Sequence, residues 1–275
     1  MSGRDVTVLA ARQADAPRPA ALAQLWERVA ARGWLATSEP RVIVRVADAH
    51  RSPLVVETAR SLVERLAQAG LPTELVDGRP AAFDTVGVTG VALPELLVPA
   101  AWLDAFLLVT VTGAGPDPDH RLGAILAAQS EPLRWAGTQG PPTALALEAH
   151  RLGASDLVVV CGEAAGEAWW IVSPSDVAVE IALARVCGVD GRTLPLVRAL
   201  ATHESVPSVG AIEGALPRLD GLLGSALAAR VRRPLWAARG AGAAAVRDAA
   251  MIRRNLGKLP GFVRRKLAAR RPKTA

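Results

Sequence analysis

Short apolar runs alternate along this chain with longer segments in which apolar residues recur at helical spacing. The first pattern is typical of strands and the second of amphipathic helices. Strands are predicted at residues 5–10, 41–47, 73–76, 105–111, 155–161 and 168–172, with a small edge strand at 209–212. Helices are predicted at residues 19–32, 55–69, 122–128, 177–186, 194–202 and 216–229. This alternation predicts the α/β class.

The runs at 105–111 and 155–161 are almost wholly apolar. That composition is expected of strands covered by helices on both faces. We therefore expect a mostly parallel sheet flanked by helices.

The charges divide the chain into two parts. Residues 230–275 contain 14 Lys and Arg and a single acid, Asp248. The whole chain has 32 Lys and Arg and 26 Asp and Glu, so residues 1–229 contain 18 basic and 25 acidic side chains. We therefore predict an acidic α/β domain over residues 1–229 and a basic helical tail over residues 230–275.

Apolar residues in the tail recur at helical spacing opposite basic ones, at Ile252, Leu256, Leu259, Val263 and Leu267. A basic amphipathic segment suits an anionic membrane surface or an acidic partner protein. Its aromatic residues, Trp236 and Phe262, are too few for base stacking, so nucleic acid is not favoured. Docking onto the chain's own acidic domain, or a contribution to solubility alone, stays open.

Several functional classes lose support from the composition. No apolar stretch approaches the roughly 18 residues that a spanning helix needs, and no signal peptide is visible, so we expect a cytoplasmic protein, peripheral at a membrane if the tail binds one. Cys161 and Cys187 are expected to be free thiols that pack as small hydrophobes. The four histidines show no ligand spacing, so no metal site is predicted, and no motif names a cofactor.

Residues 171–214 carry a recognisable series of motifs. A strand and a polar turn lead to a helix opening Val177-Ala178-Val179-Glu180, Gly188 ends that helix, and Ile212-Glu213-Gly214 closes the stretch. This series resembles the C-terminal signature of the domain-of-unknown-function family 362. Residues 53–78 and 103–111 resemble an early unit and the central strand of that family.

The chain also departs from the family. Many members carry an iron–sulfur module and a Lys-Thr-His motif after the central strand, where this chain reads Val111-Thr112-Gly113. Cluster-binding cysteines are missing from the sequence, and Ser175, beside Asp176, stands where the family usually has an aspartate. The resemblance implies the fold of a divergent member, and its gaps argue against iron–sulfur chemistry.

Ligands of open α/β sheets collect beyond the carboxyl ends of the strands, so the loops there hold the candidate site. After the strand at 41–47 come His50, Arg51 and Ser52, directly before a helix start that favours an anion. A solvated helix cap with exposed charges is the alternative interpretation.

The loop after the central strand contains Thr112, Gly113 and His120. Its glycines permit close backbone approach to a ligand, and His120 could exchange protons. The glycine spacing does not match a phosphate-binding loop, and an ordinary turn explains the same residues.

Glu163, next to a proposed turn with Ser175 and Asp176, completes the candidate set. A buried Glu163 beside Trp169 and Trp170 would serve as a general acid or base. A solvated Glu163 and a helix cap at Ser175 are the alternatives.

Two functions follow as hypotheses. In the first, Glu163, His120 and His50 act as catalytic groups, while Arg51, Ser52, Thr112, Gly113, Ser175 and Asp176 bind a small anionic molecule. In the second, the chain is a catalytically silent protein whose tail binds an anionic membrane surface or an acidic partner. The sequence does not decide whether the protein is an enzyme.

Overall fold

The computed structural model describes residues 5–13, 16–38, 41–46, 52–77, 83–87, 95–99, 105–114, 155–194, 197–198, 201–202, 206–217 and 219, with the backbone alone for 77, 83–87 and 95–99. The helix predicted at 122–128 and the whole tail lie outside these residues, as does most of the helix predicted at 216–229. Of the helix predicted at 194–202, residues 194, 197, 198, 201 and 202 are described, and 197, 198 and 201 are helical.

The described elements follow the predicted alternation of strands and helices. In chain order they are β1 (Asp5–Arg12), α1 (Arg18–Ala31), β2 (Val42–Val46), α2 (Pro53–Gln68), β3 (Thr73–Asp77), β4 (Phe83–Gly87), β5 (Glu95–Pro99), β6 (Leu107–Gly113), β7 (Leu157–Ala164), β8 (Glu167–Ser173), α3 (Asp176–Val186) and β9 (Ser208–Glu213). A 3₁₀ turn at Gly191–Thr193 follows α3.

Seven of these strands form one sheet in the order β3-β2-β6-β7-β8-β1-β9. Its pairings are parallel except for those of β8, which is antiparallel to both β7 and β1. The predicted α/β class with a mostly parallel sheet is therefore confirmed, and β9 is the edge strand expected at 209–212. The antiparallel pair of β4 and β5 was not predicted.

Side chains alternate between the two faces of the sheet, and each face has its own apolar core. On the two-helix face, α1 and α2 pack on residues such as Leu9, Val44 and Val159. On the opposite face, which we call the α3 face, α3 packs on residues such as Val8 and Ile171. All nine residues from 176 to 184 of α3 are buried, so this helix is covered on its outer side as well.

Local sequence signals explain where the helices begin. Ser52 accepts a hydrogen bond from the Val55 backbone at 3.3 Å, and Pro53 occupies the first turn of α2. Ser175 caps α3 in the same way through the Ala178 backbone at 3.2 Å. Among the described residues, no helix is long and apolar enough to cross a membrane.

Candidate functional site

The carboxyl edge of the sheet brings together the strand ends that the sequence singled out. The parallel strands β1, β2, β6 and β7 all end there, and α1 and α2 begin there because each follows one of these strands. Free backbone N–H groups and the helix dipole make such helix starts favourable for negative charge. Of the described parts of the chain, this edge is where ligands of open α/β sheets are expected.

Arg18 joins three elements at this edge. Its guanidinium donates to Glu57 Oε2 on α2 at 3.0 Å and to Glu163 Oε1 at the end of β7 at 3.2 Å. Sequence analysis did not identify Arg18 or Glu57. The sequence marks Arg18 only by its place in the first turn of the helix that follows β1. Many surface arginines occupy such a position, so the pattern does not single it out.

Both ion pairs of Arg18 are open to water. The side chain of Arg18 is 29% exposed, that of Glu57 41% and that of Glu163 58%. Pairs of this kind contribute only about 0–1 kcal/mol to stability. The partners of Arg18 can therefore be exchanged at small cost.

The side chain of Glu163 is exposed to solvent and not buried beside the tryptophans. Its partner across the β7–β8 hairpin is Ala168, whereas the fully buried Trp169 and Trp170 pair with Gly162 and Cys161. The Glu163 carboxylate points to Arg18 and solvent. The apolar environment that would make it a neutral general acid is therefore missing. In this structure Glu163 is an accessible carboxyl group in contact with Arg18.

Three predicted ligand-binding residues lie at the same edge. Gly113 ends β6 and is half-buried, whereas Thr112 is 3% exposed and faces the α3 side. The Thr112 hydroxyl donates to the Gly113 carbonyl at 3.4 Å. Ser52 is the cap of α2, as one alternative anticipated.

Ser52 also stands at the mouth of an open groove between α1 and α2. The groove has a volume of about 1060 Å³, and its floor includes Leu22 and Trp26. Glu27 on α1 and Glu64 on α2 line its walls. The groove leads away from the strand ends over the outer surface of the two helices.

Ser175 and Asp176 lie at the opposite edge of the sheet from Glu163. The reason is the direction of β8, which runs back from Glu167 and ends at Ser173 beside Val158, near the start of β7. The turn expected to join Glu163 with Ser175 and Asp176 is therefore not formed. One compact site containing all the described candidates is contradicted by this topology.

Asp176 belongs instead to a buried polar cluster on the α3 face. Arg45, 1% exposed in β2, bonds the Thr110 hydroxyl and donates to Ser155 Oγ at 2.8 Å. Burial lowers the pKa of Arg45 to about 9, opposed by the nearby carboxylates of Asp176 and Asp156. The guanidinium therefore stays charged at neutral pH and connects the sheet to the start of α3.

The remaining candidates add little to this geometry. His50, Arg51 and His120 lie outside the described residues. Cys161 is buried on the two-helix face, and burial raises the pKa of its thiol to about 12, so it packs as a small hydrophobe, as expected. Within the described ranges, no group of three His, Cys, Asp or Glu side chains could hold a metal ion.

Comparison with known proteins gives no further identification: no family model, curated protein or solved structure matches this chain. The resemblance to the domain-of-unknown-function family 362 stays a prediction from the motifs of residues 171–214.

Proposed function

We propose that this protein binds a small anionic molecule at the carboxyl edge of the sheet. One observation carries the proposal: the ends of β1, β2, β6 and β7 and the starts of α1 and α2 meet there, next to the Arg18 guanidinium. Strand ends, helix N-termini and an arginine are the features with which α/β folds bind phosphate and carboxylate groups.

Arg18 is the central residue of this proposal, and Glu163 is its replaceable counter-ion. An arriving anion competes with Glu163 for the guanidinium at 3.2 Å, and the exposure of that pair keeps the cost of exchange small. His50 and Arg51 directly precede the α2 cap in sequence, so they are proposed to add positive charge. Gly113 ends β6 at the same edge, whereas Thr112 is buried on the α3 face and is no longer proposed to touch the anion.

The proposed catalytic groups are Glu163, His120 and His50. Glu163 displaced from Arg18 becomes a free carboxylate beside the bound molecule, where it can accept a proton. His120 and His50 are the other proposed proton-transfer groups, because imidazole changes charge near neutral pH. Ser175 and Asp176 are excluded from this role by their position at the other edge.

Binding is tested by titrating the full chain with inorganic phosphate in a calorimeter at low ionic strength. Arg18→Ala should weaken binding at least about tenfold, since a charge-assisted contact is lost. Glu163→Gln should tighten binding about threefold, because the competing charge is removed. Arg192→Ala, a matched loss of an exposed arginine on the 3₁₀ turn, should change nothing. Equal affinities for Arg18→Ala and Arg192→Ala would refute the site.

A second candidate function rests on the charge asymmetry of the chain. Residues 230–275 hold 14 of the 32 basic residues and a single acid, which favours binding to an anionic membrane surface. Sedimentation with vesicles of anionic lipid tests it: deleting residues 230–275 should abolish binding, and salt should weaken it. Undiminished sedimentation of the shortened chain would remove the tail from the account.

A further inference from the structure

The open groove between α1 and α2 begins at the proposed anion site. Arg18, Leu22 and Trp26 follow one another at four-residue spacing on α1, so they share one face of that helix, and Leu22 and Trp26 line the groove. Glu57, which accepts the 3.0 Å hydrogen bond from Arg18, lines the groove from α2. The groove and the anion site therefore lie on the same two-helix face and meet at the Arg18–Glu57 pair.

A second contact joins the two helices farther along the groove. Trp26 Nε1 donates to Ser61 Oγ on α2 at 3.0 Å, and Trp26 is only 1% exposed. This bond does not involve Arg18, so it stays in place when an anion displaces Glu163 from Arg18. The groove is thus formed by the packing of α1 on α2 before any ligand arrives, as is usual for small-molecule sites.

The size of the groove exceeds what a bare anion needs. Its volume is about 1060 Å³. Pockets that bind whole organic ligands usually have volumes of about 300–1,000 Å³. A ligand consisting only of a phosphate or a carboxylate would leave nearly all of this space to water, so the groove has room for the body of a larger molecule.

The groove is apolar around the Arg18–Glu57 pair. Pro19 and Ala23 line it there from α1, and Pro53 and Val56 line it from α2. Pro19, Ala23 and Pro53 are exposed, and Val56 is half-buried, so these side chains are accessible to a ligand. We call these four residues the apolar end of the groove. At the rise of an α-helix it extends over about 5–6 Å of each helix.

The lining becomes charged toward the C-terminal ends of the two helices. Glu27 contributes from α1, and Arg60, Glu64 and Arg65 contribute from α2. An apolar group gains little by covering charged side chains, because these would lose water without gaining a partner. The part of a ligand that can be buried against apolar side chains is therefore short and lies next to Arg18.

We propose that the bound anion is an organic one, with a phosphate or carboxylate group at Arg18 and a short apolar body in the apolar end of the groove. A butyl to hexyl chain or a single ring has a suitable size. This inference rests on the proposed function and adds the chemical class of the ligand. Each methylene group that is fully buried should tighten binding about three- to fourfold.

The test compares methyl phosphate with hexyl phosphate, each titrated into the full chain in a calorimeter. The two molecules carry the same charged group, so the difference between their affinities reports the apolar body alone. We expect hexyl phosphate to bind at least about tenfold more tightly, because two or three buried methylene groups suffice for this gain. Octyl phosphate should bind within about twofold of hexyl phosphate, because its longer chain reaches the charged part of the groove.

Two variants of α1 locate the gain in the groove. Ala23→Gln places a longer, uncharged side chain in the apolar end, so it should remove most of the gain for hexyl phosphate and leave methyl phosphate within about twofold of wild type. Ala30→Gln makes the same change at an exposed position of α1 outside the groove lining. It should leave both affinities unchanged.

The outcomes separate the two proposals. Suppose that Arg18→Ala loses methyl phosphate but that wild type binds hexyl phosphate no more tightly than methyl phosphate. The organic ligand is then overturned and the proposed function stands. The same conclusion follows if the gain survives Ala23→Gln, or if it continues as steeply from hexyl to octyl phosphate. If wild type binds none of these phosphates, or if Arg18→Ala binds them as tightly as wild type, both proposals are overturned.

Discussion

Arg45 allows the sharpest test of how this fold is held together. Arg45→Met keeps a straight side chain of similar length and removes the guanidinium. The change deletes the hydrogen bonds to Thr110 and Ser155 and leaves the 5%-exposed Asp176 without this cation. Removing one partner of a buried charge cluster costs about 3–5 kcal/mol, because the other charge stays buried.

That loss is large compared with the roughly 5–15 kcal/mol by which domains of this kind are stable. Guanidinium chloride unfolding followed by circular dichroism measures it, with Arg192→Met as the exposed control that stays within about 0.5 kcal/mol of wild type. Adding Asp176→Asn to Arg45→Met should recover about 1–3 kcal/mol relative to additive losses. The reasoning would be refuted if the free energy of unfolding of Arg45→Met lay within about 1 kcal/mol of that of wild type. It would also be refuted if the loss in the double variant equalled the sum of the losses in the two single variants.

Three further predictions concern single positions. Ser52→Ala removes the α2 cap and should lower the free energy of unfolding by about 1 kcal/mol in the same denaturation assay; no change would mean that the cap bond is unimportant. Gly191→Ala places a Cβ 2.6 Å from the Ile181 backbone and should cost about 1–3 kcal/mol, whereas Gly210→Ala, with open space around it, should cost less than about 1 kcal/mol. Cys161, whose pKa burial raises to about 12, should resist iodoacetamide at pH 8 in the folded chain and react only on unfolding; rapid alkylation of Cys161 in the folded chain, located by mass spectrometry of its peptide, would contradict its burial.

Much of the sheet could be predicted because its strands are apolar runs separated by clear helix signals. The direction of β8 could not be predicted. It depends on the turn at Ala165 and Gly166, whose φ angles of 52° and 83° are both positive. Such turns join hairpin strands and are usually marked by Asn-Gly or Asp-Gly, whereas Ala-Gly gives only a weak signal. Missing this hairpin is what placed Ser175 and Asp176 wrongly beside Glu163.

The polar groups of the structure were harder to predict than its strands. Arg45 sits in the run Val-Ile-Val-Arg-Val, where alternation alone suggests a solvated side chain. Its partners Thr110 and Ser155 are 65 and 110 residues away in sequence, so only the fold brings them together. The same holds for Arg18 and Glu163, which are 145 residues apart. Local pattern predicts elements, but it does not predict which distant side chains meet.

The central claim, an anion held at the carboxyl edge by Arg18, is tested most directly by native mass spectrometry of the full chain with added inorganic phosphate. Wild type and Arg192→Ala should show a discrete mass increase equal to one phosphate, and Arg18→Ala should show none at the same concentration. A wild-type chain that stays bare, or an Arg18→Ala chain that takes up phosphate as fully as wild type, contradicts the account.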